Sequence, residues 1–313
     1  MRSFKNILYV FEPSIAQETN IIRAVSLAHS NQAHLAIIDV IPEQTVGSIS
    51  TDLTEALISK RWNMLESLIS SYTNVHDVDI EVRVGTKFLE VIRAVLRNNY
   101  DLVIKGAENP DWMMHLFGSD DMHLLRKCPC PIWLMKPQEK ANYDCIVAAF
   151  DFDPDDQNQS LLNQQILDLA NSLALSEFAE LHLVHAWDVP EIEFVRGWIN
   201  EPDTTTIREI DAERARHQAG MDALIKKLRD RLGAEAYSYL SPQVHLPMGS
   251  ARKTIPALLK AVRADLIVMG TIARTGIPGF IIGNTAEAIL DQLECSVLAV
   301  KPAGFVTPVT LLC

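Results

Sequence analysis

The sequence predicts an α/β protein made of two tandem repeats, each a parallel sheet with helices on both faces. Two observations predict it. The chain matches itself: the segment from Ile80 to Asp101 followed by Leu-Val-Ile-Lys-Gly aligns with the segment from Val244 to Asp265 followed by Leu-Ile-Val-Met-Gly. From Gly85 and Gly249 onward the two run without a gap to Gly106 and Gly270. HLLRKCPCPIWLMKP, ending at Pro137, then matches AILDQLECSVLAVKP, ending at Pro302, and NILYVFEPS from Asn6 matches CIVAAFDFD from Cys145. The second observation is that short apolar runs alternate with amphipathic segments inside each repeat, the order expected of parallel strands joined by helical crossovers.

In the first repeat, Ile7–Phe11 is a continuous apolar run of the kind that parallel strands buried on both faces require. Asn20–Ser30 places Ile21, Val25 and Ala28 on one helical face. Leu35–Ile41 is the second strand, Asp52–Tyr72 a long amphipathic helix, Val78–Val84 the third strand and Phe88–Arg97 a helix. Leu102–Ile104 is the fourth strand, Gly118 to Arg126 opens the last helix, and Ile132–Met135 is the final strand. The second repeat follows the same order: Ile146–Phe150, a helix over Asn158–Leu175, Leu181–Ala186, and a helix around Ile210–Leu232. Val244, Leu258, Leu266–Met269, Thr285–Gln292 and Val297–Val300 mark its remaining elements. Residues 1–137 and 143–302 are thus the predicted domains, with 138–142 a polar linker and 303–313 a tail. Extra chain between Val189 and Ile210 carries Phe194, Trp198 and a Glu-Pro-Asp turn, and reads as a surface excursion or a lid.

Composition narrows the function. The 313 residues carry 40 acidic and 28 basic side chains, a net charge of -12, which disfavours general nucleic-acid binding. No apolar run reaches the ~18 residues that a membrane span needs, and the opening segment lacks a signal-peptide cleavage region, so a cytoplasmic location is expected. The five cysteines have no regular spacing, and Cys128-Pro129-Cys130 leaves one residue between thiols where redox and zinc pairs usually have two. Cys128, Cys130, Cys145 and Cys295 are therefore expected to be buried structural thiols. No Gly-x-Ser-x-Gly or His-Glu-x-x-His occurs, and no catalytic base is evident. His182 and His185, three apart in a strand, point to opposite faces and do not converge.

The chemistry concentrates in the stretch from Gly270 to Thr285, GTIARTGIPGFIIGNT. It leaves an apolar strand at Gly270 and enters a helix near Asn284 or Thr285, with Asn284 as N-cap and Glu287 completing a capping box. A glycine-bearing loop between a parallel strand and a helix N-terminus suits phosphate oxygens, because backbone N–H groups donate there and no Cβ obstructs approach. Arg274 is a candidate phosphate contact. A loop that merely turns the chain is the competing reading, and no Walker lysine follows.

These residues resemble the universal stress protein family in its tandem two-domain type. The resemblance is carried by Ile146-Val147-Ala148-Ala149-Phe150-Asp151, by Asp265-Leu-Ile-Val-Met-Gly270, and by Arg274-Thr275-Gly276. Gly283-Asn284-Thr285-Ala286-Glu287 and Val297-Leu298-Ala299-Val300-Lys301 complete it. It implies a five-stranded parallel sheet per domain and, in nucleotide-binding members, ATP with Mg2+ held by an aspartate after the first strand and a Gly-x2-Gly-x9-Gly-Ser/Thr motif. On this chain Asp151 occupies the aspartate position, and Gly270, Gly276, Gly283, Asn284 and Thr285 fall within the phosphate motif. Ala273 stands in place of the second glycine and Asn284 in place of Ser or Thr. In the first repeat Glu12 replaces the aspartate, Asn109 the second glycine, and Glu108 and Asp111 bring negative charge to the loop, which disfavours an anion. The resemblance further implies strand-mediated pairing of the two domains as an internal pseudo-dimer, protein partners, and a possible homodimer. A nucleotide-independent scaffold is the alternative function.

Overall fold

The computed structural model describes residues 4–13, 18–47, 50–72, 78–108, 118–137, 140–152, 157–189, 204–271 and 282–311. The first repeat contains β1 (Asn6–Val10), α1 (Glu18–Asn31), β2 (His34–Ile41), a short α2 (Glu43–Val46), α3 (Thr51–Tyr72) and β3 (Val78–Val84). It continues with α4 (Lys87–Asn98), β4 (Leu102–Gly106), α5 (Ser119–Lys127) and β5 (Ile132–Met135). The second contains β6 (Cys145–Ala149), α6 (Gln157–Glu177), β7 (Glu180–Val184), α7 (Thr204–Leu240) and β8 (Gln243–His245). After it come α8 (Ala251–Ala261), β9 (Leu266–Gly270), α9 (Asn284–Leu290) and β10 (Ser296–Val300). The predicted class, two tandem α/β repeats with parallel sheets and flanking helices, is the one observed.

Two compact units form: Met1–Asn142 with Thr271–Cys313, and Tyr143–Gly270. The first unit's sheet has the order β3-β2-β1-β4-β5-β10. Strands β1 to β5 are parallel. β10 adds antiparallel to β5, with Leu298 opposite Trp133. The second unit's four strands run in parallel in the order β9-β6-β7-β8.

The core follows the apolar runs. Every residue of β4, β5, β6 and β10 is buried. Helix α4 buries Val91, Ile92, Ala94 and Val95, one face of its amphipathic pattern. Each large aliphatic side chain so buried stabilises by roughly 1.5–3 kcal/mol. Both glycines that anchor the repeat alignment have positive φ, Gly85 at 152° and Gly249 at 135°. That backbone turns β3 into α4 and β8 into α8, and a side chain would strain it. The predicted polar linker is fastened to its own unit, because Arg23 of α1 donates to Lys140 O and Ala141 O, both at 2.8 Å.

Two expectations are corrected. The helix expected around Ile210–Leu232 begins earlier, at Thr204, and ends at Leu232 as expected, because Gly233, with φ of 77° and ψ of 168°, breaks it before a further helical stretch to Leu240. Asn284 is not the N-cap of α9. Gly283 is, without a side-chain cap bond, and Glu287 pairs with Arg126 of α5 instead of closing a capping box. Of the excursion, 190–203, including Phe194 and Trp198, lies outside the described residues.

Candidate functional site

The carboxyl ends of parallel strands, where successive crossovers part, are where α/β sheets place ligands. In the first unit that edge is filled by the chain's own charges. Lys105, near the end of β4, has no solvent exposure. Its ammonium lies 2.7 Å from Asp121 Oδ1, 3.1 Å from Glu108 Oε1 and 3.6 Å from Glu12 Oε2. Lys87, opening α4, reaches Glu12 Oε2 at 2.5 Å and Glu108 Oε1 at 3.4 Å. The other oxygen of Asp121 accepts the N–H groups of Glu108 at 2.8 Å and Gly118 at 3.1 Å. A buried carboxylate therefore takes two backbone N–H groups, from the start of the loop and from the helix N-terminus, together with one ammonium. This is the donor set that binds a phosphate oxygen. Asn109 and Asp111, also singled out in this loop, lie outside the described residues.

The charges tune one another. Burial opposes the Lys87 charge, but the hydrogen bond and charge of Glu12, with Glu108 behind them, hold its ammonium above the usual lysine value. Burial pushes the Glu108 carboxyl up, and Lys105 and Lys87 outweigh it, leaving Glu108 below the usual carboxylate range. At Asp121 burial prevails over the attraction of Lys105 and raises the carboxyl.

Sequence reasoning singled out Glu12 and Glu108 and missed Lys87 and Lys105. The signal was present: Lys105 interrupts an apolar strand whose counterpart carries Met269. The aligned second-repeat residues are Ala251 for Lys87, Met269 for Lys105, Ile272 for Glu108 and Ala286 for Asp121. The second repeat thus lacks every side chain with which the first fills its own loop, except that Asp151 aligns with Glu12.

In the second unit, β6 and β9 are adjacent parallel strands, with Ala149 opposite Met269. Asp151 and Gly270 therefore share one carboxyl edge. Asp151 is anchored through its backbone, with Asn163 Nδ2 donating to Asp151 O at 2.6 Å and Asp151 N donating to Asn163 Oδ1 at 3.4 Å. A Cβ on Gly270 would come within 2.9 Å of Leu162 Cδ2, so a side chain there would crowd α6. Gly283, Asn284 and Thr285 begin α9, in the segment that belongs to the first unit. Gly283 N donates to Thr271 O at 3.0 Å, and buried Lys301 donates to Thr271 Oγ1 at 2.8 Å. The loop that leaves at Thr271 is thereby closed at its base. Ala273, Arg274 and Gly276 lie outside the described residues.

The same edge of the second unit carries an aromatic and imidazole cluster that the sequence did not reveal. His185, following β7, meets Phe150 O at 3.1 Å and His217 of α7 at 2.8 Å. His217 in turn meets Glu213 at 3.0 Å. Phe152 packs edge-on against His185 at 4.6 Å. His182, as expected, does not converge with His185: it pairs with His245 at 2.9 Å. Burial and the neighbouring His182 lower the His245 imidazole. Among the described residues no group of three His, Cys, Asp or Glu side chains is placed to hold a metal ion, and no helix is long and apolar enough to cross a membrane.

Comparison with known proteins adds an independent line. The profile described as universal stress protein family matches residues 3–136 and 142–301. The chain is 31% identical over 324 aligned positions to universal stress protein E of Escherichia coli K12, covering 99% of this chain and 98% of that protein. It is 27% identical to the universal stress protein E homolog of Haemophilus influenzae, covering 96% and 98%. A solved structure of a functionally unknown Pseudomonas aeruginosa PAO1 protein superposes with a TM-score of 0.71 at 25% identity, covering 96% of this chain and 94% of that one. A universal stress protein from Archaeoglobus fulgidus, at 18% identity and a TM-score of 0.60, covers 97% and 98% and shares the fold.

Proposed function

The chain belongs to the universal stress protein family, and from that premise we propose that it is an ATP-binding switch in a cytoplasmic stress response. In this reading the nucleotide binds in the second repeat, 143–302, and is hydrolysed slowly or not at all. The observation that carries it is the Asp121 carboxylate of the first unit. There the loop and helix N-terminus gather two N–H donors around an anion that the chain itself supplies. The second repeat keeps the glycines at both ends of the loop, Gly270 and Gly283, and has Ala286 where that anion would originate. A loop of this kind without its own carboxylate is suited to a phosphate from outside.

Each residue then has a role. Asp151 accepts hydrogen bonds from ribose hydroxyls or holds Mg2+ beside the phosphates. Gly270, Gly276 and Gly283 keep the loop backbone open to phosphate oxygens, and Ala273 is small enough to do so where its φ is negative. Arg274 supplies charge, while Asn284 and Thr285 donate from the start of α9. Mg2+ would neutralise phosphate charge, and no residue is assigned as a general base. The first repeat, with its loop filled by Asp121, Glu108 and two lysines, serves a structural or regulatory role.

A second reading is a nucleotide-independent scaffold for protein partners, built on pairing of the two repeats as an internal pseudo-dimer and open to homodimer formation. The antiparallel register of β5 with β10 favours it. Calorimetric titration of nucleotide-stripped protein with ATP and Mg2+ separates the two. Saturable binding near one per chain, abolished in Gly283→Asp, supports the switch. A flat titration of folded protein leaves the scaffold and makes Ala273 the first residue to revert to glycine.

A further inference from the structure

Between α5 and β5 the chain places two thiols face to face. Cys128 caps α5, its N–H donating to Leu124 O at 2.9 Å, and Cys130 stands just before β5. Both are buried, and their sulfurs are 3.6 Å apart. At that separation one S–H donates to the other sulfur. The environment decides which. The hydrogen bond to Cys128, then burial, hold the Cys130 proton firmly in place. At Cys128 burial opposes ionisation, but hydrogen bonds from Cys130 and the charge of Lys301 outweigh it and lower the thiol. Lys301 is itself buried, fixed by bonds to Leu125 O and Thr271 Oγ1. The pair thus consists of two buried sulfurs in contact, with the Cys128 thiol lowered and the Cys130 thiol raised, which orders them as attacking and resolving cysteine.

We propose that Cys128 and Cys130 form a reversible dithiol–disulfide pair that closes within the chain when a peroxide oxidises it. The Cys128 thiolate attacks one peroxide oxygen; the S–O bond forms, the O–O bond breaks, and the departing oxygen leaves as water after taking up a proton. The Cys130 sulfur then displaces the hydroxyl of the Cys128 sulfenic acid. The S–S bond forms, the S–O bond breaks, and a second water leaves with the Cys130 proton. Two thiols lose two electrons and two protons, and one peroxide becomes two waters. Burial makes a brief opening of the α5 C-terminus the gate for peroxide entry. A disulfide bridging one intervening residue closes a small, strained ring, which keeps it reducible by a cellular dithiol. Oxidation alters the Cys128 group that interacts with Lys301, the residue that donates to Thr271 Oγ1.

The test is independent of nucleotide binding. Folded, reduced full-length protein is exposed to graded hydrogen peroxide, quenched with N-ethylmaleimide in denaturant, digested and weighed. The expected product is the peptide carrying both cysteines, lighter by two hydrogens, unlabelled, and restored to two labels by dithiothreitol. Its formation slows several-fold in Lys301→Met. In Cys130→Ser the Cys128 sulfenic acid persists and is trapped by dimedone. Both thiols remaining labelled would overturn the proposal. So would a disulfide that forms only after unfolding, one that joins two chains, or oxidation straight to sulfinic acid. The parent protein alone decides these outcomes should a cysteine variant fail to fold.

Discussion

Lys105 and Asp121 are each without solvent exposure, so neither charge is stable there without the other. Lys105→Met strands the Asp121 carboxylate and is expected to destabilise the first unit by about 3–5 kcal/mol in urea unfolding. Adding Asp121→Leu recovers part of that loss, and the Glu108 and Gly118 N–H groups it leaves unbonded account for the remainder. Glu108 gives a pH signature. Its folded carboxyl lies below the ordinary range, so its stabilisation is present above the free-carboxylate value and is lost as pH falls through the folded one. The stability gap between the parent and Glu108→Gln should therefore be widest near neutrality and close on acidification. Lys301 behaves in the opposite sense. Burial, only partly opposed by Cys128 and Cys130, pulls it down to about 8. The folded chain binds fewer protons than the unfolded one between that value and the ordinary lysine value of ~10.4. Its burial penalty is thus complete below about 8 and fades as pH rises. Lys301→Met should be more stable than the parent at neutral pH by on the order of 1–3 kcal/mol, less the lost Thr271 bond, and the advantage should shrink by pH ~10.

At the scale of elements, glycines set two junctions. Gly270 ends β9 against α6, and a methyl there meets Leu162 at 2.9 Å. Gly270→Ala is expected to cost about 1–3 kcal/mol, measured by thermal melting, because α6 must shift or Leu162 must leave its rotamer. Gly233 breaks α7 in a backbone region reserved for glycine, and an added Cβ there would have nothing within 4 Å. Gly233→Ala therefore reports backbone strain alone, about 1–3 kcal/mol, and no clash. The sequence reading ended this helix at Leu232, just before that break, and missed its first turns from Thr204 and the helical stretch beyond Gly233. The capping of α9 escaped as well. Asn284 had the right chemistry for an N-cap, but the backbone bond from Gly283 to Thr271 fixed the helix start one residue earlier.

At the scale of the molecule, β10 closes an edge. It covers β5, all of whose residues are apolar and buried. A chain ending before Ser296 would leave that strand with unpaired N–H and C=O groups and an apolar face. Such a truncation is expected to elute as aggregates or higher oligomers in size-exclusion chromatography, whereas a chain ending after Pro302 should not.

The repeat, the parallel α/β class, the buried strands and the acidic first-repeat loop were all legible in the linear order of residues. Each follows from local periodicity or from self-alignment. Glu108 was recognisable as an acid opposed to an anion, and Glu12 as the residue replacing the second repeat's aspartate. That two lysines from α4 and β4 converge on them was not, because Lys105 is brought to Glu12 by the parallel pairing of β1 with β4, and Lys87 by the pairing of β3 with β2 and of β2 with β1. The Cys128–Cys130 contact, the His185–His217 pair and the closure of the loop at Thr271 likewise depend on distances between side chains. Local sequence determines which elements form and which face each buries. Packing alone decides which charges, thiols and imidazoles end within hydrogen-bond reach, because a shift of one or two ångströms there separates a pair from two solvated groups.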